Sequence, residues 1–147
     1  MSQLDGRRPL IFIAEDDRAI LELIETRLQL AGYLTAHARS GWDAVRGINE
    51  IRPHAAILDI NMPGLDGFAV LRHLKQAPGT ADIPVMVLTA RNAPEDVQQA
   101  VRLGARDFLT KPFDDAQMLA RLARLLRQRP APTKTPPTPV EASSLTT

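Results

Sequence analysis

Four short apolar runs in this chain each end on a group that can do chemistry. Residues 10–14 run into Glu15 and Asp16, residues 55–58 into Asp59, residues 85–88 into Thr89, and residues 108–110 into Lys111, with Pro112 behind it. If the runs are strands of one parallel sheet, their carboxyl ends open onto a common crevice, which is where open α/β sheets bind ligands. Residues spread from 15 to 112 would then converge on three carboxylates, one hydroxyl and one ammonium group. Paired acids at a strand end are poor neighbours unless a cation sits between them. An all-oxygen acidic donor set suits Mg2+, which also orients phosphate oxygens. The chemistry such a site suits is metal-assisted phosphoryl transfer onto a carboxylate.

Each of these residues also has a plainer reading. Glu15 and Asp16 would be favourable at the N-terminal dipole of a following helix whatever else they did. Thr89 alone is a β-branched strand residue, and Lys111 alone is a solvated lysine. Phe108 is either a core aromatic or a switching one, and both readings stay open. What favours a site is the recurrence of Asp59 and Lys111 at matching strand ends, since a lysine beside an acid cluster can pair with a carboxylate and then with a phosphate. In the run Glu15-Asp16-Asp17, two acids are expected to face the metal. Asp17 is assigned to the N-cap or first turn of the next helix.

The elements that must position these groups alternate in type. Residues 17–31 carry Ile20, Leu23, Ile24, Leu28 and Ala31 at helical spacing, and Gly32 stops them. Leu34, Ala36 and Ala38 alternate with polar residues, as on a half-exposed edge strand. Ser40-Gly41-Trp42-Asp43 has the form of a capping box, after which Ala44, Val45, Ile48 and Ile51 line one face. A helix is expected from about Leu65 to Gln76, burying Phe68, Leu71 and Leu74. After a strand over 84–89, Pro94 suits a first helical position, Val97, Ala100 and Val101 face inward, and Gly104 ends the helix. A short strand covers 107–110. Asp114 then caps a final helix with Met118, Leu119, Leu122, Leu125 and Leu126 on its apolar face. Five β-α units in series predict a parallel sheet with helices on both faces. The nearly continuous apolar stretches at 53–58 and 84–88 predict its central strands.

Composition sets the outer bounds. The 147 residues suit one domain, expected over 1–129. Residues 130–147 hold five of the twelve prolines and have no apolar periodicity, which predicts a disordered Pro/Thr-rich tail or linker. Eighteen Lys and Arg against seventeen Asp and Glu give a net charge of +1, which argues against direct nucleic-acid binding by bulk charge. There is no cysteine, hence no disulfide or thiolate metal site. No window approaches the ~20 apolar residues of a membrane span, and the polar N-terminus lacks a signal-peptide core. A cytoplasmic location is the expectation.

Five motifs in order carry a resemblance. They are Ile11-Phe12-Ile13-Ala14-Glu15-Asp16-Asp17, Leu58-Asp59-Ile60-Asn61-Met62-Pro63-Gly64-Leu65-Asp66-Gly67, Val87-Leu88-Thr89-Ala90, Gly104-Ala105-Arg106-Asp107-Phe108 and Leu109-Thr110-Lys111-Pro112-Phe113. Over about residues 8–128 the chain resembles the receiver domain of two-component response regulators. The resemblance implies a doubly wound, flavodoxin-like (βα)5 fold, with a parallel sheet in the order 2-1-3-4-5. It implies Asp59 as phosphoacceptor. It also implies Mg2+ held by the side chains of Asp16 and Asp59, by Glu15 through water and by the backbone carbonyl of Asn61. Lys111 would pair with the phosphoryl group, Thr89 would close onto it, and Phe108 would swing inward with Thr89. The Lys111–Pro112 bond would be cis, which X-Pro bonds tolerate. The donor would be a phosphohistidine on a sensor histidine kinase or a histidine phosphotransfer protein. The chain would be a phosphoacceptor that assists its own phosphotransfer and dephosphorylation rather than an enzyme.

The last third resembles receivers that precede winged-helix DNA-binding domains and dimerise through their fourth helix, fifth strand and fifth helix. Asp107 and Arg121 match that pattern. Arg102 and Arg106 stand where acids are common, so a monomer or weak dimer is expected. An output protein is expected on the 94–128 face, with Arg102, Arg106 and Arg121 exposed there. The eighteen tail residues cannot bury a core. The chain is thus a stand-alone receiver or the severed receiver of a longer transcription-regulating protein. An Asp-nucleophile phosphatase-like hydrolase is disfavoured, because Asn61 stands where such enzymes place an acid/base Asp. Arg91 and Asn61, each two residues beyond a site residue, are expected to set the lifetime of the phosphoryl group.

Overall fold

A computed structural model of the protein describes residues 8–127. Five strands and five helices alternate strictly: β1 (Leu10–Ala14), α1 (Arg18–Leu30), β2 (Leu34–Ala38), α2 (Gly41–Ile51), β3 (Ala55–Leu58), α3 (Gly67–Gln76), β4 (Val85–Thr89), α4 (Pro94–Arg102), β5 (Asp107–Thr110) and α5 (Asp115–Arg127). The strands form one parallel sheet in the order β2-β1-β3-β4-β5, as expected. The expected tail, 130–147, lies outside the described residues. Among the described residues no helix is long and apolar enough to cross a membrane.

Alternation along the strands divides the core in two. Ile11, Ile13, Ala55, Ile57, Met86, Leu88 and Leu109 point to one side, where Leu21, Ile24 and Leu28 of α1 and Met118, Leu122 and Leu125 of α5 cover them. Phe12, Ala14, Ala56, Leu58, Val85 and Val87 point to the other side. There they meet Ala44 and Ile48 of α2, Phe68, Val70, Leu71 and Leu74 of α3, and Ala100 of α4. A strand buried on both faces reads as a continuous apolar run, which is why β1, β3 and β4 were legible.

Side chains start the helices. Asp17 caps α1 by accepting from the Ile20 N–H at 3.1 Å, the role assigned to it. Ser40 caps α2 by accepting from the Asp43 N–H at 3.3 Å, and Asp43 itself turns to Arg46 rather than closing the box. Asp66 caps α3, which therefore begins at Gly67 and not at Leu65. Pro94 opens α4 as expected, but that helix has no side-chain cap.

Four expected core residues are corrected. Leu23 is 43% exposed, Ile51 43% and Val101 62%, and Ala31 is an exposed C-cap. In each helix the residue one turn away does the burying (Leu21, Ile48, Ala100), so the apolar stripe is narrower than the sequence pattern.

Candidate functional site

The sheet ladder continues past the strand ends and sets the site residues side by side. The Asp59 N–H donates to the Ala14 carbonyl at 2.9 Å, the Glu15 N–H to Ala38 at 3.1 Å, and the Lys111 N–H to Thr89 at 2.8 Å. Glu15, Asp16 and Asp59 thereby offer carboxylate oxygens that all lie within 4.8 Å of one another. Lys111 Nζ reaches across to them, 2.8 Å from Glu15 Oε1 and 3.2 Å from Asp59 Oδ2. The pairing of Lys111 with Asp59 was expected. The shorter contact to Glu15 was not, because nothing in the sequence links positions 15 and 111. The Lys111–Pro112 bond is cis.

Glu15 is buried, with its Oε2 accepting from the Asp17 N–H at 3.1 Å. Its Oε1 has the Lys111 charge nearby but no hydrogen bond of acceptable geometry. Burial pushes the Glu15 carboxyl above its ordinary value, and Lys111 and the Asp17 amide offset this only in part. Burial alone would lower the Lys111 ammonium, but Glu15 and Asp59 outweigh it and hold the group above its ordinary value. Three clustered carboxylates against one ammonium leave excess negative charge in a poorly hydrated place. A buried oxygen without a hydrogen bond and an acidic all-oxygen donor set fit a hard divalent cation.

The other expected residues take varied places. Asn61 is exposed, its backbone N–H donates to Asp59 Oδ1 at 3.3 Å, and its side chain turns away to Arg91. Thr89 is fully buried and its Oγ1 accepts from the Arg91 N–H at 3.2 Å. Phe108 is half-buried and packs against the core on the α2, α3 and α4 side, away from the acids. Arg102 and Arg106 are exposed as expected. Arg121 is corrected: its Nη1 lies 2.6 Å from Asp107 Oδ1, with Arg124 Nη2 at 3.4 Å from Oδ2.

A family model described as the response regulator receiver domain matches residues 11–123. The chain belongs to that family, the receiver domains of two-component systems. It is 41% identical over 121 residues to the transcriptional regulatory protein PrrA of Mycobacterium tuberculosis, covering 82% of this chain and 51% of that protein. It is 42% identical over 120 residues to the DNA-binding dual master transcriptional regulator RpaA of Synechocystis, with coverage of 82% and 50%. The receiver thus spans about half the length of these curated relatives. Among solved structures, the signal receiver domain of a signal transduction histidine kinase from Syntrophus aciditrophicus matches with TM-score 0.77 and 35% identity, over 92% of this chain and 98% of that one. The receiver domain of the sensor histidine kinase PA1611 from Pseudomonas aeruginosa, described with a magnesium ion coordinated in its active-site cleft, matches with TM-score 0.77 and 28% identity, over 83% of this chain and 100% of that one.

Proposed function

We propose that this receiver takes a phosphoryl group onto Asp59 from a phosphohistidine on a sensor histidine kinase or histidine phosphotransfer protein. The observation that carries the reading is the position of the Asp59 carboxylate at the end of β3, between the Lys111 ammonium and the Glu15 and Asp16 carboxylates. In the transfer, an Asp59 oxygen attacks phosphorus. The new P–O bond forms as the P–N bond of the phosphohistidine breaks, and its electron pair stays with the leaving imidazole.

The residues divide the work. The Asn61 N–H holds Asp59 Oδ1, and Lys111 holds Oδ2. Lys111 is placed to move its charge from the carboxylate to the phosphoryl oxygens. Thr89 would exchange its bond from the Arg91 N–H for one to the phosphoryl group, drawing the start of the β4–α4 loop inward, with Phe108 following. Asp16 and Asp59 by side chain, Glu15 through water and Asn61 by its backbone carbonyl would hold Mg2+. When bound, that ion neutralises charge on the transferred group. The residues assist the chain's own phosphorylation and dephosphorylation, and no separate substrate is turned over. The output is binding of a partner on the face of α4, β5 and α5, in a cytoplasmic setting.

A second reading has its own support. The curated relatives named above are transcriptional regulators, and the match spans about half of each, so this receiver is also read as the front end of a longer transcription-regulating protein. The two readings share the same chemistry at Asp59. The test of that chemistry is a phosphotransfer profile against candidate histidine kinases. One kinase should label the chain quickly and leave Asp59→Asn unlabelled. Equal labelling of both proteins would remove the assignment.

A further inference from the structure

Outside the acid cluster, one side chain ties three parts of the molecule together. Arg91 lies two residues beyond β4, in the loop that leads to α4. Its Nη2 donates to Asp96 Oδ1 at 2.7 Å, in the first turn of α4. Its Nη1 lies 3.5 Å from Asn61 Oδ1, and its guanidinium carbon sits 5.6 Å over the Phe68 ring. Asn61 in turn holds Asp59 Oδ1 through its backbone N–H. The guanidinium thus stands between a carboxylate of α4 and a residue that touches the acceptor.

Two features make this pair more than a surface ion pair. Asp96 is only 8% exposed, so its carboxylate depends on the partners it has. And α4 lacks the capping side chain that α1, α2 and α3 each possess. The Arg91–Asp96 bond ties its first turn to the loop instead. Arg91 itself is half-exposed, 45% by side chain, so its long stem has room to swing.

A phosphoryl group on Asp59 changes the competition for the guanidinium. It brings close to two negative charges and three strong acceptor oxygens, against the single charge of Asp96. The planar fork of an arginine matches such oxygens better than it matches one carboxylate oxygen. Asp96 loses its partner but keeps the favourable field of the α4 N-terminus.

We propose that Arg91 is a phosphate-binding arm stored on Asp96, and that its move to the phosphoryl group of Asp59 releases the first turn of α4. The inference rests on Asp59 being the phosphoacceptor. It assigns Asp96 a role in holding the unphosphorylated state.

The probe is beryllofluoride with Mg2+, a mimic of the phosphoryl group, on the full chain. Asp96→Asn is isosteric and should keep the fold. It should tighten beryllofluoride binding by about fivefold, the size expected when a half-exposed ion pair no longer competes. Arg91→Ala should weaken binding by about as much. Yet both variants should speed amide exchange over residues 95–99 before any beryllofluoride is added, and the wild type should reach the same fast exchange only with it. A purely structural tie would shift both affinities the same way. That result, or wild-type exchange in α4 that beryllofluoride leaves unchanged, overturns the proposal. Asp59→Asn serves as the separate check. Wild-type beryllofluoride binding in that variant would overturn the acceptor assignment and this inference with it, whereas lost binding there with unmoved α4 exchange in the wild type overturns this inference alone.

Discussion

Replacing Lys111 by methionine is expected to destabilise the metal-free domain strongly and the magnesium-loaded domain weakly. Methionine keeps most of the stem and removes the charge. In the structure that charge lies 2.8 Å from Glu15 and 3.2 Å from Asp59, whose side chains are 2% and 5% exposed. Removing one partner of a buried ion pair costs about 3–5 kcal/mol. Lys111 keeps 16% of its own exposure, and Glu15 can relieve the repulsion by taking up a proton, so the lower end applies, about 3 kcal/mol. For a domain of this size that lowers Tm by about 10 °C. A divalent cation restores the missing positive charge, so saturating Mg2+ should shrink the loss to about 3 °C or less.

The pH dependence gives an independent sign. The folded pKa of Glu15 lies above 4.5, so the folded state binds this proton more tightly than the unfolded chain does. Its contribution to stability is therefore greatest at low pH and is lost as pH rises from 4.5 through the raised folded value. Without Lys111 that value rises further, and the decline should extend to higher pH. The stabilisation from Lys111 itself is fully present below 10.5 and fades only above it, so it does not confuse this window. Thermal unfolding followed by circular dichroism, in EDTA and in Mg2+ from about pH 4.5 to 8, reads both effects. Equal midpoints for wild type and variant in EDTA, or a loss that Mg2+ does not lessen, would refute the electrostatic reasoning.

Two further substitutions probe the frame around the site. Gly67→Ala should cost about 1–3 kcal/mol in urea unfolding and slow phosphorylation by a small phosphodonor. Its new Cβ would lie 2.3 Å from the Asp59 carbonyl oxygen and 2.7 Å from Ile60 Cα, and wild-type behaviour would show that this backbone can give way. Lys75 donates to the Ala81 and Ile83 carbonyls at 3.0 and 2.8 Å, and burial, with Arg106 adding to it, lowers its pKa to about 8. Its contribution to stability therefore rises as pH goes from about 8 to 10.5, so the stability advantage of wild type over Lys75→Met should widen across that range; a constant difference in urea midpoints would contradict it.

The sequence carried the sheet and the site ends because both are written locally. Val85-Met86-Val87-Leu88 can only be a strand buried on two faces, and whatever follows it must stand at the sheet edge where ligands collect. Asp17 was legible as a cap for the same reason, since its partner Ile20 is three residues away. What escaped is set by tertiary distance. The Glu15–Lys111 contact joins the first and last strands' ends, and the bond from Arg91 to Asn61 spans two loops, so no window of sequence contains either pair. Lys75 looked like a surface residue of α3 until the α3–β4 loop folded its carbonyls onto the ammonium. Leu23 and Val101 were misread because periodicity marks a helix face only to within one turn, and the width of the face that the sheet covers decides the rest.

The central claim is that Asp59 receives the phosphoryl group with help from a metal at Glu15 and Asp16. Intact-mass spectrometry after incubation with a small phosphodonor tests it directly. One phosphate adduct is predicted in Mg2+, none in EDTA, and none in Asp59→Asn under either condition. An adduct that persists in Asp59→Asn, or one that forms equally well without the metal, would contradict the account.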